Sequence, residues 1–254
     1  MNFIAVIPAR FASTRFPGKP LIDLGGKPMV VRVAERALAS GATSVVVATD
    51  DARIAKACAE HGVAVAMTRR DHPTGTDRLS EVAVQLTLSD DAVVVNVQGD
   101  EPLIPPEMIA RTAQWLGSHP DASIATLCHP IHVAAELASS NVVKCVLDER
   151  DNALYFSRAP IPYARDAWNA TGGQIASIPD QLPVYRHIGL YAYRAGFLRA
   201  FPSLSIPAME RFESLEQLRA LAHGYRISVM RVSDALPPGI DTPADYAALK
   251  SRFD

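Results

Sequence analysis

At 254 residues the chain is long enough for one large domain with an ample core, and a 48% hydrophobic content with near-balanced charges excludes a disordered chain. No apolar run approaches the roughly 20 residues of a membrane helix, and the run 3–7 is too short and lacks the basic flank of a secretory signal. A cytoplasmic protein with no membrane partner is expected, and a net charge of −2 speaks against nucleic acid, whose binders neutralise many phosphates. Cys58, Cys128 and Cys145 lie far apart without Cys-x-x-Cys, so they read as small core residues rather than disulfide or zinc partners.

The first element is a buried strand over 3–7, stopped by Pro8. The loop that follows holds three permanent cations, Arg10, Arg15 and Lys19, two hydroxyls, Ser13 and Thr14, and Gly18. Guanidinium forks, an ammonium and loop N–H groups suit a polyphosphate. A solvated basic loop has the same composition. No Gly-x-x-x-x-Gly-Lys-Ser/Thr occurs in the loop, which disfavours a P-loop NTPase.

A turn over 21–27 leads to Pro28 as first residue of a helix over 28–40, whose Val30, Val33, Ala34, Ala37 and Leu38 share one face and which Gly41 stops. A strand over 45–49, a cap at Asp50-Asp51, a helix over 52–61 and a short strand over 63–67 continue the alternation. Such a pattern predicts βαβ units: an α/β fold with a mostly parallel sheet, helices on both faces and ligands beyond the carboxyl ends of the strands. The polar loop 69–78 feeds a helix over 77–88. Thr76 suits its cap, while two hydroxyls around Gly75, from Thr74 and Thr76, also suit the edge of a nucleobase. His72, next to Pro73, reads as a loop residue.

The run 92–97 is the most strand-like of the chain, and Asp100 follows it. An acid at the exit of a central strand is placed for a divalent cation bound to a nucleotide. A tight-turn aspartate is the other reading. A helix over 105–116, a strand over 123–127 and a short helix over 133–138 come next. From 142 the pattern changes: strands over 143–147, 153–156 and 184–193, joined by turns such as 148–152, predict antiparallel pairing in an inserted subdomain spanning about 130–200. Within it, 159–183 reads as a long loop. A helix over 213–224, a strand over 226–232, and a strand end over 239–241 running into the last helix complete the chain. Thr242 suits the cap of that helix and Pro243 its first residue. Asp241 lies just outside the cap, where it can face a ligand or stabilise the helix dipole.

Taken together, the motifs Ile7-Pro8-Ala9-Arg10-Phe11-Ala12-Ser13-Thr14-Arg15-Phe16-Pro17-Gly18-Lys19-Pro20, His72-Pro73-Thr74-Gly75-Thr76-Asp77-Arg78, Val95-Asn96-Val97-Gln98-Gly99-Asp100-Glu101-Pro102, Tyr155-Phe156-Ser157-Arg158, His187-Ile188-Gly189-Leu190-Tyr191, Leu215-Glu216-Gln217-Leu218-Arg219 and Gly239-Ile240-Asp241-Thr242-Pro243 closely resemble the 3-deoxy-manno-octulosonate (Kdo) cytidylyltransferases, or CMP-Kdo synthetases, of bacterial lipopolysaccharide synthesis. The first motif is common to several nucleotidyltransferases, and the set is specific to the Kdo enzymes. The resemblance implies a Rossmann-like mixed sheet of the nucleotide-diphospho-sugar transferase type. Arg10, Ser13, Arg15 and Lys19 would hold the CTP triphosphate. Thr74, Gly75 and Thr76, with Arg78 nearby, would recognise cytosine. Gln98, Arg158, His187, Tyr191 and Glu216 correspond to sugar-acid positions, Asp100 and Asp241 to Mg²⁺ ligands, and the inserted subdomain to a homodimer contact. Lys19, Arg15, Asp100 and Asp241 are then the catalytic set for CMP transfer from CTP to Kdo, with release of pyrophosphate. The chain departs from the family at Thr74, where Ser is commoner, at Ala208-Met209-Glu210, where Pro-Leu-Glu is usual, and over 163–180. Transfer to a related keto-sugar acid, sialic acid or an amino-substituted Kdo, and a nucleotide-binding regulatory protein without turnover, are the competing expectations.

Overall fold

The protein is described by a computed structural model over residues 1–12 and 16–253. In chain order the elements are β1 (Ile4–Ala9), α1 (Met29–Ala39), β2 (Ser44–Thr49), α2 (Ala52–Glu60), β3 (Ala64–Met67), α3 (Gly75–Gln85), β4 (Val93–Asn96) and α4 (Pro106–Ser118). There follow β5 (Ile124–Pro130), α5 (Ala134–Ala138), β6 (Lys144–Leu147), β7 (Ala153–Ser157), α6 (Arg165–Asn169), β8 (Tyr185–Arg194), α7 (Ala195–Ala200), α8 (Ala208–Glu213), α9 (Gln217–Ala222), β9 (Ile227–Arg231) and α10 (Pro243–Leu249). The first compact unit comprises Met1–Ser118, Leu190–Ser203 and the chain from Leu236 onward; the second comprises His119–Gly189 and Leu204–Ala235. Among the described residues no helix is long and apolar enough to cross a membrane.

In the first unit the strand order is β3-β2-β1-β4, parallel throughout, with the end of β8 antiparallel against β4 from Asn96↔Tyr191 to Val93↔Arg194. The inner strands β1, β2 and β4 are near-continuous apolar runs because both faces are covered, while the edge strand β3 is partly exposed. The chain steps outward from β1 to β2 to β3, then returns to β4 on the other side of β1. Right-handed crossovers therefore put α1 and α2 on one face and α3 on the other. Accordingly α1 packs on α2 and α4, and α3 on α7. The reversal between β1 and β4 makes a crevice at their carboxyl ends, the natural ligand position of such a sheet.

In the second unit β9 lies parallel to β5, from Ile124↔Ile227 to Cys128↔Arg231. β6 pairs antiparallel with β7 and with the start of β8, as the change of pattern after residue 142 predicts. The fold class expected from the alternation, a mostly parallel mixed sheet with helices, is the one observed. A core cluster of the second unit gathers Ile131, Leu137, Val142 and Val184 around Trp168.

Local differences from the sequence reading have identifiable causes. Pro8 does not stop β1, which continues to Ala9. Val97 N donates to Val6 O, so the Val6 backbone faces β4, and two residues on Pro8 faces the same side; the last β1–β4 pair is Val6↔Asn96, so the missing N–H costs no ladder bond. Pro28 is the N-cap of α1 rather than its first residue. α3 begins two residues earlier than expected, with Thr74 rather than Thr76 as cap: its Oγ1 accepts from Asp77 N at 3.2 Å. The segment 159–183 contains α6, folded around the buried indole of Trp168, whose Nε1 donates to Ser177 O at 3.0 Å. The helix expected over 213–224 is the shorter α9, which starts only at Gln217; the residues before it form a further helix, α8, which breaks off at Ser214 with φ +53°. The buried Glu210–Arg219 pair, bonded at 2.8 and 2.6 Å, spans that break. The segment before α10 is not a strand end; it is held by one backbone bond, Ile240 N to Asp100 O at 2.8 Å.

Candidate active site

At the crevice of the first unit Pro8, Ala9, Arg10, Ala12, Lys19, Pro20, Gly75, Gln98, Gly99 and Asp100 line an open cavity of about 400 Å³. The loops after β1 and β4 supply most of this lining. Gly99 permits their approach, since a Cβ on it would stand 2.7 Å from Pro8 O.

Lys19 is the centre of the site. Its Nζ lies 2.7 Å from Asp100 Oδ2 and 3.1 Å from Asp241 Oδ1, and its side chain is only 13% exposed. The ammonium thus joins two carboxylates that would otherwise repel, with Asp241, 48% exposed, the more strongly screened of the two. Asp241 is placed by its neighbours. Ile240 is fully buried in a cluster with Leu24, Met29 and Leu249, joined by Phe16, Ile22, Leu103, Tyr246 and Phe253. Burying such a side chain contributes about 1.5–3 kcal/mol. On the other side Thr242 and Asp245 form a reciprocal capping box for α10, and Asp241 N donates to Asp245 Oδ2 at 3.0 Å. One residue between a buried anchor and a helix cap has little freedom, and here it is an acid.

Glu101, which the sequence reading passed over, adds a third carboxyl. Its Oε2 is buried without a hydrogen-bond partner, and burial, then the charges of Asp100 and Asp241, push its pKa up to about 7. The acidic pair Asp100-Glu101 at a strand exit was the signal available for it. Among the described residues no group of three His, Cys, Asp or Glu is arranged as a metal cage. Two carboxylates converging on one cation instead fit an ion that takes one or two protein acids and completes its shell with phosphate oxygens and water, as Mg²⁺ does.

Arg10 faces the same cavity, its Nη2 donating to His72 O at 2.6 Å and Thr74 O at 3.2 Å, which ties the first loop to the start of α3. Ser13 and Arg15 lie outside the described residues. Thr74 is engaged in its cap and also donates from Oγ1 to Asp77 Oδ2 at 2.6 Å, while Gly75 lines the cavity and Thr76 is buried in the first turn. Arg78 is fully buried below that turn, bonded to Thr68 Oγ1 and 3.2 Å from Asp50 Oδ1; burial is what lowers its pKa most. It braces the start of α3 rather than lining the cavity. Gln98 lines the cavity, and Tyr191, on β8, stacks on Tyr193 with ring centroids 5.6 Å apart.

The second unit holds the other expected sugar-acid residues. Arg158, at the end of β7, donates from Nε to Glu213 O at 2.7 Å and from Nη1 to Ser140 O at 3.0 Å. His187 Nε2 lies 3.1 Å from Thr126 Oγ1, with the ring edge-on to Phe156 at 5.1 Å, and desolvation lowers its pKa to about 3. The imidazole is therefore neutral at physiological pH. Glu216 precedes α9 as its N-cap without a side-chain cap bond.

A family model described as cytidylyltransferase matches residues 4–227. Among solved structures the chain is similar to a CMP:2-keto-3-deoxy-manno-octonic acid synthetase complexed with CTP, with 43% identity, a TM-score of 0.87, and coverage of 99% of this chain and 97% of that one. It shares the fold, at 17% identity and a TM-score of 0.58, with a cytidylyltransferase from Leptospira borgpetersenii serovar Hardjo-bovis (strain JB197), over 98% of this chain and 85% of that one. The same holds for a 4-diphosphocytidyl-2C-methyl-D-erythritol synthase, at 16% identity and a TM-score of 0.64, over 100% of this chain and 98% of that one.

Proposed function

The chain belongs to the cytidylyltransferase family, and from that premise we propose that it transfers CMP from CTP to the anomeric hydroxyl of Kdo, giving CMP-Kdo for lipopolysaccharide synthesis and releasing pyrophosphate. The observation that carries this reading is the 43% identity, over nearly the full length of both chains, to a synthetase named for that product and complexed with CTP. The convergence of Lys19, Asp100 and Asp241 at the crevice supports it.

In the reaction a sugar oxygen bonds to the α-phosphorus as the bond to the β-phosphate oxygen breaks. Such a displacement needs alignment and charge neutralisation more than covalent catalysis. Arg10 and Lys19, with Ser13 and Arg15, hold the triphosphate, and Lys19 and Arg15 offset the charge gathering on the departing pyrophosphate. Thr74, Gly75 and Thr76 read cytosine, braced by Arg78. Gln98, Arg158, His187, Tyr191 and Glu216 are assigned to the sugar acid. Arg158 meets its carboxylate, and the neutral His187, Tyr191 and Glu216 read hydroxyls, which discriminates because a buried polar group without its partner is costly. Asp100 and Asp241 would hold Mg²⁺, which when bound neutralises phosphate charge and lowers the pKa of the attacking hydroxyl. No protein base is then required. The protein works in the cytoplasm as a homodimer formed through the region 130–200.

Pyrophosphate release tests this reading. With CTP, Kdo and Mg²⁺ together, release is expected; leaving out any one, adding a chelator, or replacing CTP by another nucleoside triphosphate should abolish or sharply reduce it. Faster turnover with sialic acid or an amino-substituted Kdo would reassign the acceptor. CTP binding without turnover of any acceptor would make the protein a nucleotide-binding module.

A further inference from the structure

Lys144 on β6 is fully buried, and its ammonium donates to three main-chain carbonyls: Ser139 O at 2.9 Å, Val142 O at 2.7 Å and Arg158 O at 2.5 Å. Three donors meet three acceptors, so the group is saturated, and among the described residues no carboxylate stands at bonding distance. A charge removed from water is costly even when hydrogen-bonded, and burial pulls the Lys144 pKa down while Glu213 opposes the shift. Where an apolar side chain would fill the same space at lower cost, the ammonium's distinctive effect is to gather those carbonyls.

The carbonyls come from two segments, the turn 139–142 and the end of β7, and Arg158 is anchored to the same surroundings. Its Nη1 donates to Ser140 O within that turn, its Nε to Glu213 O, and its backbone N to Glu213 Oε2 at 2.9 Å. Ser157 Oγ donates to the same carboxylate. Both guanidinium bonds therefore go to carbonyl dipoles, and the Glu213 carboxylate is engaged with the backbone N–H of Arg158 and with Ser157. The guanidinium is thus aimed by its frame while its charge stays available to an anion.

We propose that Lys144 is a positioning residue for the acceptor acid: by clamping the turn 139–142 to the Arg158 carbonyl, it fixes the direction of the guanidinium that receives the acceptor's carboxylate. This rests on the assignment of Arg158 to that carboxylate. Lys144 itself touches no substrate.

The test is steady-state kinetics of the full chain carrying Lys144→Met, which keeps the length and apolar stem and removes all three donors. The KM for Kdo should rise about tenfold, the scale of one weakened charge-assisted contact, while the KM for CTP stays within about twofold. Arg158→Ala should raise the Kdo KM at least as far, and the double variant should add little to it, as expected of two residues acting through one contact. A merely structural role lowers the active fraction, and so kcat, without separating the two KM values. Unchanged KM values, or equal changes in both, in Lys144→Met alongside a raised Kdo KM in Arg158→Ala overturn the clamp alone. An unchanged Kdo KM in Arg158→Ala overturns the assignment of Arg158 and the clamp with it. Should Lys144→Met not fold, Lys144→Gln, with two donors on a shorter arm, is read by the same criteria. Failure of both to fold leaves Lys144 a stability residue only and overturns the proposal.

Discussion

Lys19, Asp100 and Asp241 act as one electrostatic unit, so removing a single charge should be felt by all three. In Asp100→Asn or Asp241→Asn the shape is kept, but the site loses a donor for a cation and Lys19 loses a partner. Turnover should fall about 100-fold or more, the scale of removing one preorganised charge-stabilising group. The unfolding midpoint should change little, because Asp241 is half exposed and Asp100 is partly exposed. Either variant retaining near-normal Mg²⁺-dependent kcat would take the acids out of the chemistry. Glu101 lies beside them with a buried, unpartnered oxygen, and its pKa is raised first by burial and then by the charges of Asp100 and Asp241.

At the scale of elements, the site depends on two loops meeting at the switch between β1 and β4. Gly99 is the contact point. Its backbone needs no left-handed conformation, but a Cβ would press to 2.7 Å against Pro8 O, a main-chain atom that cannot swing aside. Gly99→Ala should therefore cost about 1–3 kcal/mol by overpacking, read as a lower urea midpoint with unchanged m. It should also reduce kcat/KM beyond what the unfolded fraction explains, since the displaced turn carries Gln98 and Asp100. A fully active, equally stable Gly99→Ala would mean that the turn tolerates more room than its geometry implies. The capping box of α10 plays the corresponding part for Asp241, an acid held one residue from a helix start.

For the molecule as a whole, the proposed homodimer bears on stability and assembly. Within 130–200 the side chains of Val133, Leu154 and Tyr163 are substantially exposed, and an interface would cover them. Light scattering should give twice the 27.4 kDa of one chain at micromolar concentration. A monomer mass there would remove the dimer from the reading while leaving the chemistry of the first unit as argued.

The parallel order of the first unit and the antiparallel change after residue 142 were legible in sequence, because hydrophobic period and glycine stops act over a few residues. The basic loop had a phosphate reading beside a solvated one, and Asp100 and Asp241 each had a ligand reading beside a local one. Four outcomes needed the tertiary structure. Thr74 rather than Thr76 caps α3 with the tie from Arg10 at its start, α8 forms ahead of the helix expected over 213–224 and is tied to it across Ser214 by the Glu210–Arg219 pair, and Lys144 is buried among carbonyls. The meeting of Asp241 with Lys19, 222 positions away, belongs with them. Local pattern sets which residues can be helix, strand or turn; burial of Ile240 in a cluster drawn from distant segments is a cooperative packing event, and no short stretch of sequence encodes its outcome.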